Sequence, residues 1–89
     1  MSGRGGGTLD PRIAYRILKA LSHGGASYIR RLVRECRVGP ATLLQYIKVL
    51  ERRGHVTTEY APPHRLVRIT ERGRRLLAAL EAVLAELAA

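Results

Sequence analysis

The chain has 89 residues, and 16 Lys and Arg against 7 Asp and Glu leave it at +9. The excess is uneven: residues 1–75 hold every base and five acids, a balance of +11, whereas residues 76–89 hold only Glu81 and Glu86. Hydrophobic residues make up 46% of the chain, too many for a disordered polycation, and the longest apolar run, residues 76–80, is far short of the ~20 residues of a membrane span.

This length is room for one small domain, which buries little apolar area alone, so oligomerisation is expected. A single cysteine excludes an internal disulfide and reads as cytosolic. Residues 1–12 lack the apolar core of a secretory signal. With no Trp and no Phe, a single-strand binder built on stacked aromatic platforms is disfavoured.

In chain order, residues 1–9 read as a flexible Gly-rich arm. Asp10 is a good N-cap and Pro11 suits the first helical position. Ile13, Ile17, Leu18 and Leu21 then recur at helical spacing until Gly24-Gly25, giving a first helix over residues 11–22. A second helix follows Ala26-Ser27, with Ile29, Leu32, Val33 and Cys36 on one face and Arg30, Arg31, Arg34 and Arg37 on the other. Pro40 starts a third helix whose apolar stripe is Leu43, Ile47 and Leu50, with Tyr46 at its margin and Gly54 as its stop. The period then changes to two: Val56, Thr58 and Tyr60 alternate with polar neighbours. Pro62-Pro63 must turn the chain, and residues 66–69 return as a second strand. Thr70 can cap a last helix reaching about residue 88, with Leu76, Leu77, Leu80, Val83, Leu84 and Leu87 along one side.

Helix, helix, short turn, helix, hairpin, helix is the order of a winged helix-turn-helix domain. The stretch PATLLQYIKVLERRGHV (residues 40–56) resembles the recognition helix and first wing strand of winged-helix regulators. RITERGRRLL (residues 68–77) resembles the second wing strand and last helix of the MarR, PadR and ArsR-like groups and of small archaeal winged-helix proteins, and RILKAL (residues 16–21) the end of their first helix. One departure is Gly39, where many members carry a capping Ser. The resemblance implies a mainly α fold with a small β-hairpin: a winged helix-turn-helix with a three-helix core and a wing over residues 10–70, while the apolar spacing of the C-terminal helix, residues 71–89, points to a dimerisation element.

On the third helix, inward Leu43, Ile47 and Leu50 leave Ala41, Thr42, Leu44, Gln45, Lys48 and Arg52 facing out. That surface fits a major groove ~12 Å wide. Gln45 suits an adenine edge and Leu44 or Thr42 a thymine methyl, while Tyr46, Lys48 and Arg52 suit phosphates. The bland alternative is an ordinary solvated helix face. The resemblance implies a phosphate role for Tyr28, Arg30 and Arg31; Arg34 and Arg37 are more ambiguous, because Glu35 and the helix C-terminus can occupy them. At the wing tip, His64 and Arg65 follow two stiff prolines, and Arg65 suits the minor groove or a phosphate. In the last helix, residues 76–80 are expected in the chain's own core, and Val83, Leu84 and Leu87 against a second copy.

His23, Cys36, His55 and His64 lack the close spacing of a zinc site, and Cys36 belongs to an apolar stripe. No paired carboxylates or phosphate loop point to an enzyme, and no metal, cofactor or small-molecule ligand is expected. The resulting expectation is a cytoplasmic, nucleoid-associated homodimer that binds specific double-stranded DNA as a transcriptional regulator. The alternatives are a low-specificity architectural DNA binder, a winged-helix protein-interaction module and, less supported by four tyrosines, an RNA binder.

Overall fold

The computed structural model describes residues 9–88. The expected N-terminal arm therefore lies outside the described residues except for Leu9, which packs against the core. Helix α1 (Pro11–Ser22) begins as its sequence dictates: Asp10 Oδ1 accepts from the Arg12 amide at 2.9 Å and Pro11 takes the first position, where its missing N–H is no loss. It buries Ala14, Ile17, Leu18 and Leu21.

The segment Ala26–Tyr28, expected only as a connection, is a third strand, β1. Helix α2 (Ile29–Cys36) follows at once and buries Leu32 and Cys36. It ends at Arg37, whose φ of 57° is left-handed and whose amide reaches the Val33 carbonyl. The Arg16 guanidinium donates to the Cys36 carbonyl at 3.1 Å, complementing the negative end of this helix. Burial, with the nearby Glu35 charge, pushes the Cys36 thiol up to about 11 against the pull of Arg16. A thiol held protonated in the core packs and does not react.

Helix α3 (Pro40–Arg52) buries Leu43, Ile47, Val49 and Leu50. Its end is a Schellman motif: the Gly54 amide reaches the Glu51 carbonyl at 3.0 Å and the His55 amide the Leu50 carbonyl at 2.8 Å. The motif needs a left-handed residue just past the helix, and Gly54, with φ of 84°, supplies it. Strands β2 (Val56–Ala61) and β3 (His64–Ile69) form the expected hairpin around Pro62-Pro63. The antiparallel sheet has the order β1-β3-β2, pairing Ser27 with Val67 and Thr58 with Val67 from either side.

Helix α4 (Glu71–Ala88) starts on a seam with the end of α3. The Thr70 hydroxyl donates to the Gly54 carbonyl at 2.7 Å and accepts from the Gly73 amide at 3.0 Å, while the Thr70 amide donates to the His55 carbonyl at 3.1 Å. Gly73 lies so close that a Cβ there would overlap the His55 carbonyl oxygen and sit 2.8 Å from Ile69 Cγ1. Further along, Lys19 and Glu81 pair at 3.1 Å across α1 and α4. Among the described residues, no helix is long and apolar enough to cross a membrane, and no cluster of His, Cys, Asp or Glu could hold a metal ion.

Because backbone rather than a flexible side chain blocks the added methyl, Gly73→Ala should destabilise the fold by about 2 kcal/mol. Urea denaturation followed by circular dichroism measures this, and an unchanged midpoint contradicts the close approach.

Candidate nucleic-acid interface

Three elements converge on one open groove of about 400 Å3. The junction of β1 and α2 supplies Tyr28, Ile29 and Arg30; α3 supplies Leu44 and Lys48; the hairpin tip supplies Pro63, His64 and Arg65. Each is placed by local chemistry. Tyr28 is the N-cap of α2 and sits opposite Leu66 in the sheet, so the strand fixes where α2 starts and hence where Arg30 stands. Leu44 and Lys48 are one turn apart on the side of α3 opposite its buried stripe, as a 3.6-residue period requires. Arg30, Lys48 and Arg65 are the charged lining groups, and no acid is among them.

A second hollow, about 650 Å3, adjoins the first along α2 and is lined by Tyr28, Arg30, Arg31, Arg34, Glu35 and His64. The Tyr28 and His64 rings, 5.5 Å apart and tilted by 59°, belong to both. Six of the predicted contact residues are thus gathered together: Tyr28, Arg30, Leu44, Lys48, His64 and Arg65. Ala41, Gln45 and Arg52 lie outside this lining but are exposed on α3, and Thr42 is half-buried there.

An ion pair on α2 decides which base Glu35 meets. Glu35 is occupied by Arg31, with the guanidinium Nε donating at 3.0 Å, and not by Arg34, which stays exposed at the second hollow. Neighbouring side chains do not face each other on a helix, whereas residues four apart do; the i,i+4 pair forms, and it partly neutralises the predicted contact Arg31. Arg68 pairs with Glu59 at 3.1 Å across the hairpin.

Tyr46 is engaged within the chain. Its hydroxyl accepts from the Asp10 amide at 2.9 Å and its ring packs against the core. It fastens the start of α1 to α3 and does not share the outward face with Lys48. Conversely, Tyr60 was expected only as a strand residue. The register pairs Val56 with Ile69, Thr58 with Val67 and Tyr60 with Arg65, so Tyr60 shares the sheet face of these core residues. It is nevertheless 68% exposed, because the core ends before the tip. An aromatic residue ending an alternating strand next to a Pro-Pro turn was the available signal.

His55, at the base of the hairpin, is held below the usual histidine range chiefly by burial, which a hydrogen bond with the Arg72 backbone opposes and the Arg72 and Arg53 guanidinium charges reinforce. A depressed value favours the neutral ring, so its contribution to stability is present above 6.5 and is lost on acidification.

The apolar side of α4 divides. Leu77, 8% exposed, belongs to the chain's own core, and Leu76 and Leu80 pack against that core. Beyond them Leu84 is half-buried, whereas Val83 and Leu87 are 53% and 77% exposed.

The backbone superposes on F93 from STIV, a winged-helix DNA-binding protein, with a TM-score of 0.81, covering 90% of this chain and 95% of that one at 22% identity. The fold is a winged helix. A second match is Sso10a-2, a DNA-binding protein from Sulfolobus solfataricus, with a TM-score of 0.80 at 18% identity, covering 88% of this chain and 80% of that one. A third is the transcriptional regulator BldR from the same organism, with a TM-score of 0.80 at 25% identity over 85% of this chain; the match spans only 56% of BldR. No family model and no curated protein matches the sequence. In winged-helix terms α3 occupies the recognition-helix position and β2–β3 is the wing. The expected two-stranded wing gains β1 as a third strand, which pairs with β3 along its other edge.

Tyr46→Phe removes only the acceptor for the Asp10 amide and should cost about 1 kcal/mol. Thermal unfolding checks this; a variant as stable as the parent would free the Tyr46 hydroxyl for another role.

Proposed function

We propose that this winged-helix chain binds double-stranded DNA as a small dimeric transcriptional regulator in the cytoplasm. The observation that carries the reading is the acid-free groove, where Arg30, Lys48 and Arg65 from three separate elements meet beside the outward face of α3. In this reading α3 enters the major groove, where Gln45 offers an amide to an adenine edge and Leu44 and Thr42 offer apolar surface to thymine methyls. Lys48, Arg30 and Arg52 take phosphates and fix the register without reading sequence. Arg65, joined by Tyr60, meets the flanking backbone or minor groove. The DNA-binding descriptions of F93 and Sso10a-2, and the regulator description of BldR, support the same use of the fold.

The second copy would sit on Val83, Leu84 and Leu87 of α4. Two recognition helices then fall on half-sites about 34–36 Å apart, or a multiple of that. A low-specificity architectural role is the second reading. The observation favouring it is the small number of base-reading groups: Gln45 is the sole exposed amide on the outward side of α3, and Thr42 is half-buried.

Gel-shift titration against operator fragments and random duplex, at several salt concentrations, tests the proposal. Arg30→Ala and Lys48→Ala should weaken all duplexes alike and each lower the salt slope by about 1. Arg31→Ala should do less, because Glu35 already holds that charge. Gln45→Ala should relax discrimination at one base step by about 1–3 kcal/mol. No duplex binding near physiological salt would favour a protein-interaction module instead, and equal affinity for all duplexes the architectural role.

Replacing Val83 and Leu87 together by Glu should give a monomer by light scattering while leaving the winged-helix spectrum intact. A persistent dimer would remove α4 from that role.

A further inference from the structure

His64 occupies an unusual position among the groove residues. It opens β3 and stands where the two hollows meet, its ring held against Tyr28 at 5.5 Å. The charged groups that line the two hollows with it come from every neighbouring element. From α2 they are Arg30, Arg31, Arg34 and Glu35; from α3, Lys48; from β3 itself, Arg65. Across the hairpin its register partner is Ala61, and Glu59 lies one pair further along on the same face.

Both acids in this set are already engaged, Glu35 by Arg31 and Glu59 by Arg68. Among the described residues, His64 therefore has no unoccupied carboxylate beside it, and a negative partner for its ring comes from outside. The groove is open to solvent, and Arg30, Lys48 and Arg65 would draw a phosphodiester into it. A phosphate oxygen beside an imidazole favours the charged ring, which can then donate from both nitrogens.

We propose that His64 is a phosphate ligand that acts as the imidazolium, so that seating a duplex in the groove takes up a proton from solvent. This rests on the DNA-binding reading above and adds a co-ligand to it: the proton enters with the nucleic acid and leaves with it. The affinity then rises as pH falls. Reciprocally, the bound duplex holds the proton to a higher pH than the free protein does.

The probe is a 20-base-pair duplex at fixed salt. Its affinity should be about fivefold tighter at pH 6 than at pH 8. Calorimetric titration at pH 7 in two buffers of different ionisation enthalpy should show net proton uptake. His64→Gln should flatten the pH response and abolish the uptake, and His64→Arg should bind tightly at both pH values. His23→Gln, outside the groove, should keep the full response. The inference is overturned if His64→Gln retains the pH response, or if the parent binds the duplex with no proton uptake. Failure of the parent to bind duplex at any pH would instead overturn the DNA-binding reading, so the two failures are distinguishable.

Discussion

The seam between Gly54-His55 and Thr70-Gly73 is the constraint on which the rest of the molecule depends. The wing leaves α3 at Gly54 and returns to α4 at Thr70, so its base is defined by whatever joins those two points. One threonine does most of this: its hydroxyl bridges the Gly54 carbonyl and the Gly73 amide, and its own amide binds the His55 carbonyl. Thr70 thereby satisfies the start of α4 and the exit of α3 together. Gly73 allows the two backbones to approach to a distance that no side chain would permit. A slip of one residue here would turn Val67 and Ile69 out of the core and His64 to the other face of the sheet. The groove is therefore set about six strand residues away from the contacts that define it. Thr58 adds a second tie, donating to Glu51 at the end of α3 at 2.8 Å, which braces the wing against the recognition helix.

The charge distribution is costly for the isolated chain. Neither α2 nor α3 has an acid in its first turn or a side-chain cap on its N-terminus, although that end carries the positive pole of the helix dipole. Arg30 and Arg31 at the start of α2 make matters worse, each by a few tenths of a kcal/mol where exposed. A chain selected for helix stability alone would place Asp or Ser there, as it does at Asp10 in α1. Under the proposed function the missing anion is the DNA phosphate: uncapped amides and nearby cations act together once it arrives. The proposed protonation of His64 belongs to the same economy of charge, because it adds a donor only in the presence of the phosphate that stabilises it.

Much of this was legible in the sequence, and the reasons are local. Asp10-Pro11, Pro40 and Gly54 mark helix ends through their own backbone chemistry, and the stripe of Leu43, Ile47 and Leu50 needs only a period of 3.6. Pro62-Pro63 can only be a turn. What escaped was set by distant partners. β1 is three residues long, and Ala26-Ser27-Tyr28 carries no strand signal until β3 lies beside it. Tyr46 looked available for a phosphate because its acceptor role depends on Asp10, 36 residues away. The pairing of Glu35 with Arg31 was within reach of helical spacing, but the exposure of Tyr60 turns on where the core happens to end. For the same reason nothing in the pattern ERGRR announced that Gly73 touches the backbone of His55.

The division of α4 explains why one helix can serve both the fold and an assembly. At 18 residues it is about 27 Å long, against about 18 Å for the 12 residues of α1 on which it lies. The Lys19–Glu81 pair, with both side chains more than 40% exposed, marks the point where the two helices part company. Before it, Leu76, Leu77 and Leu80 complete the chain's own core; after it, Val83 and Leu87 are largely uncovered among the described residues. If a second copy covers them, α4 becomes a rigid continuation of the seam that sets the wing. The spacing of two grooves in a dimer would then follow from the same Thr70 and Gly73 contacts that position a single groove, with no flexible linker between. Such a dimer would favour one half-site separation strongly over its neighbours, because adjusting the spacing would require breaking the seam.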